Sequence, residues 1–231
     1  MNDLHIERIP FLNVSGFLVY TKDAAILIDT GHSKTVEHLS RVLQDRGKTP
    51  SEIALIILTH THFDHAGGAK AIKDLTGAPV AVHRAEADHL RRGRTPFPKG
   101  TRWKGKLMVF IGNIFARKMA RYPAVDPDIL IGEEFDLKPY GIPGKAIHTP
   151  GHTSGSLSVV LETGDAFVGD NLMGISLKEH YPPFANDRVQ VLASWEKYIS
   201  MGMQRLYPAH GKMVSIEALK NELANARRKY L

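Results

Sequence analysis

The sequence predicts an α/β protein, because two kinds of apolar pattern alternate along the chain. Residues 24–29 and 53–58 are nearly continuous apolar runs of strand length, which is typical of strands buried on both faces. Between these runs, Val36, Leu39 and Leu43 recur at helical spacing. Each run ends abruptly in polar residues, so we expect these strands to end at a functional site.

The other elements follow from the same patterns, taken in chain order. Strands are expected at the short β-rich runs 14–20, 24–29, 53–58, 79–82, 145–149, 156–161, 166–169 and 206–207. Helices are expected at 36–43, 69–75, 189–199 and 216–230. Gly47 is expected to end the first helix, since glycine is common just after a helix C-terminus. No linker or low-complexity tract interrupts the chain, so residues 1–231 are expected to form a single domain.

Residues 84–140 are less regular and are expected to form a basic, partly helical insertion. Apolar residues recur there on one helical face, at Trp103, Leu107, Phe110, Ile111, Ile114 and Phe115. Residues 84–121 contain 11 basic and 2 acidic residues, so the net charge of +6 is concentrated in this segment. It could cover the site as a lid, contact an anionic membrane surface or a lipid-like substrate, join a homodimer, or pack as an ordinary helix.

Composition excludes several chemistries. The chain has no cysteine, which rules out disulfides, thiolate-ligated zinc, iron–sulfur clusters and a cysteine nucleophile. A bound metal must therefore be held by histidines and carboxylates. The N-terminus shows no signal-peptide pattern, and the longest apolar stretch, 107–116, is too short to span a bilayer. We expect a cytoplasmic protein.

A dense cluster of metal-ligand residue types follows the strand at 53–58. His60, His62, Asp64 and His65 place four such side chains in six residues. Imidazole and carboxylate suit zinc, iron or manganese. His60 and His62 should project to one side while Asp64 and His65 lie around the bend, so two adjacent metals explain the motif better than one.

Three more candidates each follow a predicted strand. They are His152, Asp170 and His210. Because strand ends at one edge of a sheet converge on a common crevice, we expect these side chains to meet the His60 loop. An aspartate placed between two metals can bridge them.

Taken together, these blocks resemble the metallo-β-lactamase superfamily. The resemblance rests on Asp29-Thr30-Gly31, on Thr59-His60-x-His62-x-Asp64-His65-x-Gly67-Gly68, and on the sequences around His152, Asp170 and His210. It implies a four-layer αβ/βα sandwich of two mixed β-sheets flanked by helices. Asp64, together with Asp170 where many β-lactamases of this fold use cysteine, resembles the glyoxalase-II-like and lactonase-like branch.

The resemblance also implies roles for individual residues. His60, His62 and His152 would hold one metal, and Asp64, His65 and His210 the other. Asp170 would bridge the two with a hydroxide, which makes Asp64 and Asp170 the residues closest to the chemistry. The cofactors would be two divalent ions, with zinc as the first choice and iron or manganese as alternatives.

Five further residues are candidates for supporting roles. Asp29 is expected to orient a ligand imidazole, although it could instead be a turn residue. His148 is expected to support the ligands from behind. His32, His180 and Tyr181 could contact substrate; the alternatives are a helix cap for His32 and a proline-stiffened surface loop for the other two.

The function expected from these features is metal-assisted hydrolysis of an ester, thioester or lactone-type bond in a small substrate. The alternative is an oxidoreductase resembling the persulfide dioxygenases, with one iron held by His60, His152 and Asp170. A phosphodiesterase or nuclease is less favoured, because a basic patch supplies affinity for phosphate but no chemistry. We expect a small-molecule substrate rather than a nucleic acid.

Overall fold

Two six-stranded mixed sheets lie between helices in the computed structural model, which describes residues 3–32, 35–96, 100, 121–176 and 179–230. The first sheet contains, in spatial order, β1 (His5–Phe11), β2 (Val14–Tyr20), β3 (Ala25–Ile28), β4 (Ile53–Ile57), β5 (Val80–His83) and β6 (Ile129–Ile131). The second contains β12 (Val214–Ser215), β11 (Arg205–Pro208), β10 (Asp165–Gly169), β9 (Leu157–Leu161), β8 (Gly144–His148) and β7 (Glu134–Asp136). The helices are α1 (Val36–Asp45), α2 (Phe63–Ala66), α3 (Ala69–Thr76), α4 (Ala87–Arg92), α5 (Arg188–Ser200) and α6 (Ile216–Tyr230).

Strand β3 shows why the apolar runs are continuous. Ile26 and Ile28 belong to a buried cluster with Phe167 of β10, between the two sheets. Leu27, on the opposite face, belongs to a second cluster with Leu39 of α1. Because alternate residues of a strand face opposite ways, both faces of β3 need apolar side chains.

The second sheet is covered in the same way. Trp195 and Tyr198 of α5 are buried in a cluster with Val160, Ala166 and Val168 of β9 and β10. The order across the molecule is therefore helix, sheet, sheet, helix, which confirms the predicted four-layer fold. The prediction for the first helix is confirmed as well, since α1 ends just before Gly47, whose φ is +64°.

Strand direction brings the candidate residues to one edge of the sandwich. β3 runs parallel to β4, and β10 runs parallel to β11. The residues that follow these strands, including Asp29, the loop from Thr59, Asp170 and His210, therefore start from the same side.

Several short or edge strands were not predicted. β1 and β12 were missed. β6 and β7 were missed as well, since no strand was predicted within the basic, partly helical segment at 84–140. β6 and β7 have three residues each, too few to show a period of two, and β1 is an edge strand with mixed burial and an internal proline, Pro10.

Residues 101–120 lie outside the described part of the chain, and with them the predicted apolar face at 103–115. The lid, the membrane contact and the homodimer contact of that segment therefore stay predictions. Of the helices within the described ranges, none combines the length and the apolar character needed to cross a membrane.

Candidate metal centre

All seven predicted ligands meet at one edge of the sandwich. Their donor atoms form three overlapping groups in which every atom lies within 4.8 Å of the others. The groups are His60 with His62 and His152, His60 with His65 and Asp170, and Asp64 with His65 and His210. Side chains that are up to 150 positions apart in the sequence therefore surround one small volume.

The first group is compact. His60 Nε2 lies 2.8 Å from His62 Nδ1, which lies 3.1 Å from His152 Nε2. Nitrogens bound to one tetrahedral zinc at about 2.0–2.1 Å would be separated by roughly 3.3–3.4 Å. The observed distances are about 0.2–0.6 Å shorter than that separation, so the three nitrogens already lie together.

Asp170 lies between this group and the other. Its Oδ2 is 3.6 Å from His152 Nε2, while its Oδ1 is 3.3 Å from His65 Nε2 and 3.5 Å from His210 Nε2. On the far side, His210 Nε2 is 3.5 Å from Asp64 Oδ2. The two oxygens of one carboxylate thus face different sets of imidazoles, which is the arrangement a bridging ligand requires.

The outward nitrogen of each of the five histidines is fixed by an oxygen. The pairs are His60 Nδ1 with Thr59 Oγ1 at 3.2 Å, His62 Nε2 with Pro96 O at 3.3 Å, His65 Nδ1 with Asp29 Oδ2 at 2.8 Å, His152 Nδ1 with Phe184 O at 2.9 Å, and His210 Nδ1 with Asn13 O at 2.7 Å. Carbonyl and carboxylate oxygens only accept, and the Thr59 hydroxyl donates to Asp29, so each outward nitrogen carries the hydrogen. In the neutral imidazole, the inward nitrogen of every ring then presents a lone pair to the shared volume.

Two polar atoms in this volume have no hydrogen bond within the described part of the chain. They are His65 Nε2 and Asp170 Oδ1, both buried. A buried polar atom without a partner costs free energy, and a cation in contact with both would remove that cost. The donor set of nitrogens and carboxylate oxygens therefore fits a divalent metal ion.

Electrostatics divides the cluster into neutral and charged groups. Burial and the neighbouring histidines hold the pKa of His60 well below its usual value, and burial together with His152 lowers the pKa of His62 to about 4. Burial opposes the charge of His65 too, but Asp170, Asp29 and Asp64 together raise the pKa of His65 well above its usual value. Burial likewise disfavours ionisation of Asp64, yet His65 and His210 lower its pKa to about 2.

Asp29 lies directly behind His65. Its Oδ2 is 2.8 Å from His65 Nδ1, and its Oδ1 accepts a hydrogen bond of 2.8 Å from the backbone N–H of Thr59. Asp29 adopts a φ of +58°, a left-handed conformation that aspartate tolerates better than most residues. The backbone at Gly169 packs closely against Thr59, which donates to Asp29. A Cβ at position 169 would lie 2.8 Å from Thr59 Oγ1, so glycine allows this close approach.

We expect Asp29→Asn to weaken metal binding about 10- to 100-fold, the range typical of residues that orient a metal-binding histidine. Asparagine keeps the shape and tolerates the positive φ, but it replaces one accepting oxygen with a donating NH₂ group. A titration against a chromophoric chelator measures the affinity. Asp45→Asn, at the exposed end of α1, is the matched control. Equal affinity in the two variants would show that Asp29 does not orient His65.

His32 and His148 have different surroundings. His32 is half-buried, and its Nε2 lies 3.3 Å from Asn13 Oδ1. The backbone carbonyl of the same Asn13 accepts a hydrogen bond from His210. The ring of His148 instead stacks on His83 at 4.0 Å, with Nε2 bound to Ser154 O at 2.9 Å. Among the described residues, this ring contacts none of the seven candidate ligands, so the expected support from His148 is corrected.

The predicted substrate contacts of Tyr181 and His180 are also corrected. Tyr181 is buried in the core, with its ring 5.8 Å from that of Trp195. His180 is buried too, and its Nδ1 lies 3.0 Å from the carbonyl of Met173. The loop turns both side chains into the protein, a direction that a local sequence of polar and proline residues does not reveal.

Some supporting residues were missed by the sequence reasoning. Glu86 is buried on the short helix before α4. It accepts hydrogen bonds of 3.2 and 2.5 Å from the N–H and hydroxyl of Thr61, which lies between the candidate ligands His60 and His62 in the sequence. Asn171 accepts a bond of 3.1 Å from the N–H of His152. Its position next to Asp170 was a usable signal, whereas nothing in the sequence links Glu86 to Thr61.

Comparison with known proteins agrees with this geometry. The family profile described as "Metallo-beta-lactamase superfamily" matches residues 9–210. A probable metallo-hydrolase of Methanocaldococcus jannaschii is 31% identical over 192 residues, which cover 81% of this chain and 83% of the relative. A beta-lactamase-like protein 2 homolog of Drosophila melanogaster is 29% identical over 86% of this chain, but the match covers only 58% of the relative's length.

Solved structures show the same fold. The BLEG-1 B3 metallo-β-lactamase superposes with a TM-score of 0.72 at 23% identity, covering 94% of this chain and 97% of the other. The subclass B3 metallo-β-lactamase BJP-1 of Bradyrhizobium japonicum gives a TM-score of 0.71 at 19% identity, covering 100% of this chain and 90% of the other. With the profile match over most of its length, this chain belongs to the metallo-β-lactamase superfamily.

Proposed function

We propose that the protein is a hydrolase that holds two divalent metal ions, zinc in the first instance. One ion is assigned to His60, His62 and His152, the other to Asp64, His65 and His210, with Asp170 between them. The observation that carries the proposal is the set of five imidazoles whose outward nitrogens are all bound to oxygen acceptors. Five inward nitrogens and two carboxylates surround one volume, a donor set of the kind that binds divalent cations.

Two bound ions supply a water acidified to near neutral pKa and a Lewis acid for the substrate oxygen. The residues of the chain provide the charge and the orientation that this reaction needs. Asp64 and Asp170 bring negative charge to the centre, which balances part of the charge of the two cations. Asp29 and the carbonyls of Pro96, Phe184 and Asn13 fix the direction of the imidazoles, so little rearrangement is needed when substrate binds.

The bond we assign is an ester, thioester or lactone bond in a small substrate. Aspartate at positions 64 and 170 supports this choice, because it resembles the glyoxalase-II-like and lactonase-like branch. The name of the Methanocaldococcus jannaschii relative, probable metallo-hydrolase, is consistent with the same reaction type. No protein nucleophile is needed, which agrees with a sequence that contains no cysteine.

The test is metal analysis followed by a substrate panel. Protein purified without added metal is expected to contain two zinc ions per chain, and it should hydrolyse chromogenic esters, thioesters or lactones faster than phosphodiesters. Metal removal by a chelator should abolish the activity and added Zn²⁺ should restore it. One iron per chain with oxygen consumption on a persulfide would instead identify the dioxygenase alternative. Activity that survives complete metal removal would contradict both.

A further inference from the structure

A cavity adjoins the loop that carries His62, since Pro96 lines the cavity and its carbonyl accepts a hydrogen bond from His62. It has a volume of about 520 Å³. The described residues that line it are His89, Arg92, Gly93, Arg94, Pro96, Arg121 and Tyr122. Three of these seven are arginines and none is acidic, so the cavity has a cationic wall. A space of this size accommodates a small organic anion.

The arginines of the cavity have few carboxylate partners. An antiparallel bridge between Arg94 and Arg121 places these two residues side by side. Among the described residues, Arg92 forms one ion pair, with the carboxylate of Asp88 at the long distance of 4.0 Å. Arg91, the neighbour of Arg92 outside the cavity, is by contrast held by Asp88 at 3.2 Å and by Asp126 at 3.4 Å. Residues 89–121 contain ten lysines and arginines and no aspartate or glutamate, so the local sequence provides no anion of its own.

The wall of the cavity is also the support of the metal loop. The Thr95 hydroxyl, between Arg94 and Pro96, donates to Thr61 O and lies 2.9 Å from Thr61 Oγ1. The carbonyl of Pro96 accepts from His62 Nε2 at 3.3 Å. Tyr122 OH lies 3.1 Å from Thr95 Oγ1 and completes the link. One short stretch of chain therefore separates the arginines from the imidazole of His62.

We propose that this cavity binds an oxyanion group of the substrate, a carboxylate or a phosphate, while the scissile bond lies at the His/Asp cluster. That the bound anion is a substrate rests on the proposed function, but the existence of an anion site does not. Guanidinium groups form paired, charge-assisted hydrogen bonds with carboxylate and phosphate oxygens. A cleft lined by one sign of charge also raises the local concentration of ligands of opposite sign. The substrate class is thus an anionic ester, thioester or lactone rather than a neutral one.

The first experiment compares neutral and anionic esters. The variant Arg92→Gln/Arg94→Gln/Arg121→Gln changes only exposed side chains, and Arg91→Gln is the control for removal of a nearby charge. The substrates are the 4-nitrophenyl esters of acetic acid, glutaric acid and 3-phosphonopropionic acid. We expect kcat/KM of the triple variant to fall about 10- to 100-fold for the preferred anionic ester, with the acetate ester changed less than about twofold. The ester that loses more identifies carboxylate or phosphate as the group bound.

An equal loss of kcat/KM for the neutral and anionic esters, or a similar loss in Arg91→Gln, would overturn the proposal.

A second experiment separates anion binding from ester hydrolysis. Isothermal titration of the protein as purified with glutarate and with inorganic phosphate should show a site that the triple variant loses and Arg91→Gln keeps. If that difference is found but no ester is hydrolysed, the cavity proposal stands and the proposed hydrolase fails. If esters are hydrolysed and both proteins bind the anions equally, the cavity proposal fails alone.

Discussion

Asp170→Asn is expected to reduce hydrolysis by at least about 10³-fold and to lower the metal content of the purified protein. The two oxygens of Asp170 face different imidazoles, with Oδ1 3.3 Å from His65 Nε2 and Oδ2 3.6 Å from His152 Nε2. Asparagine has the same shape but carries no charge and offers only one accepting oxygen. The variant therefore loses the negative charge that Asp170 brings to the cluster and one of its two accepting oxygens.

The measurement is kcat/KM on the best ester of the panel, with metal content from the same preparation. Asp74→Asn is a matched control, since Asp74 is exposed and pairs only with Lys70 on α3 among the described residues. Asp170 belongs to none of the three hydrophobic clusters of the described residues, so we expect the far-UV circular dichroism spectrum of Asp170→Asn to be unchanged. Full activity with two metals still bound would exclude Asp170 as a bridge and would remove the main support for a two-metal mechanism.

Trp195→Ala is expected to lower the free energy of unfolding by about 3–5 kcal/mol, because it leaves a large cavity in a well-packed core. Trp195 is completely buried between α5 and the second sheet. Its ring contacts Tyr181, and its Nε1 donates to Asn171 O at 2.7 Å. Urea denaturation followed by circular dichroism gives the change in stability.

Trp195→Phe separates packing from the hydrogen bond. It keeps most of the apolar volume and loses the bond to Asn171, the residue after Asp170 that also holds the backbone of His152. We expect this variant to lose roughly 1–2 kcal/mol and to bind metal more weakly than the wild type. If Trp195→Ala and Trp195→Phe were equally stable, the core contribution assigned to Trp195 would be wrong.

The sequence was sufficient to predict that the candidate ligands lie close together, because the signals for this are local. Four of them lie within six residues, and the other three each follow a short apolar run. Strand ends converge at a sheet edge whatever the identity of the loops, so the position of His152, Asp170 and His210 could be inferred without knowing their contacts. Their assignment to individual metals came from the resemblance to a family.

The directions in which side chains of irregular segments point could not be predicted in this way. Tyr181 and His180 follow the site in the sequence, yet the packing of α5 and α6 turns them into the interior. His148 ends the strand that leads to His152, but its ring stacks on His83 of the other sheet. In each case the partner is distant in sequence, and neither periodicity nor spacing contains that information.

The alternating strand and helix patterns predicted an α/β fold, and the dense His/Asp motif predicted the composition of the candidate metal centre, because both are local properties of the chain. The four layers were implied by the resemblance to a family. The tertiary structure, by contrast, sets which nitrogen of each histidine points inward, because acceptors such as Asp29, Pro96 and Asn13 come from other segments. It also placed the arginine cavity beside His62, because the bridge between Arg94 and Arg121 and the contact of Thr95 with Thr61 join residues far apart in the chain. Both results follow from one property of hydrogen bonds. Hydrogen bonds that orient a side chain are short-ranged in space, while the residues that form them here are separated by up to 197 positions in sequence.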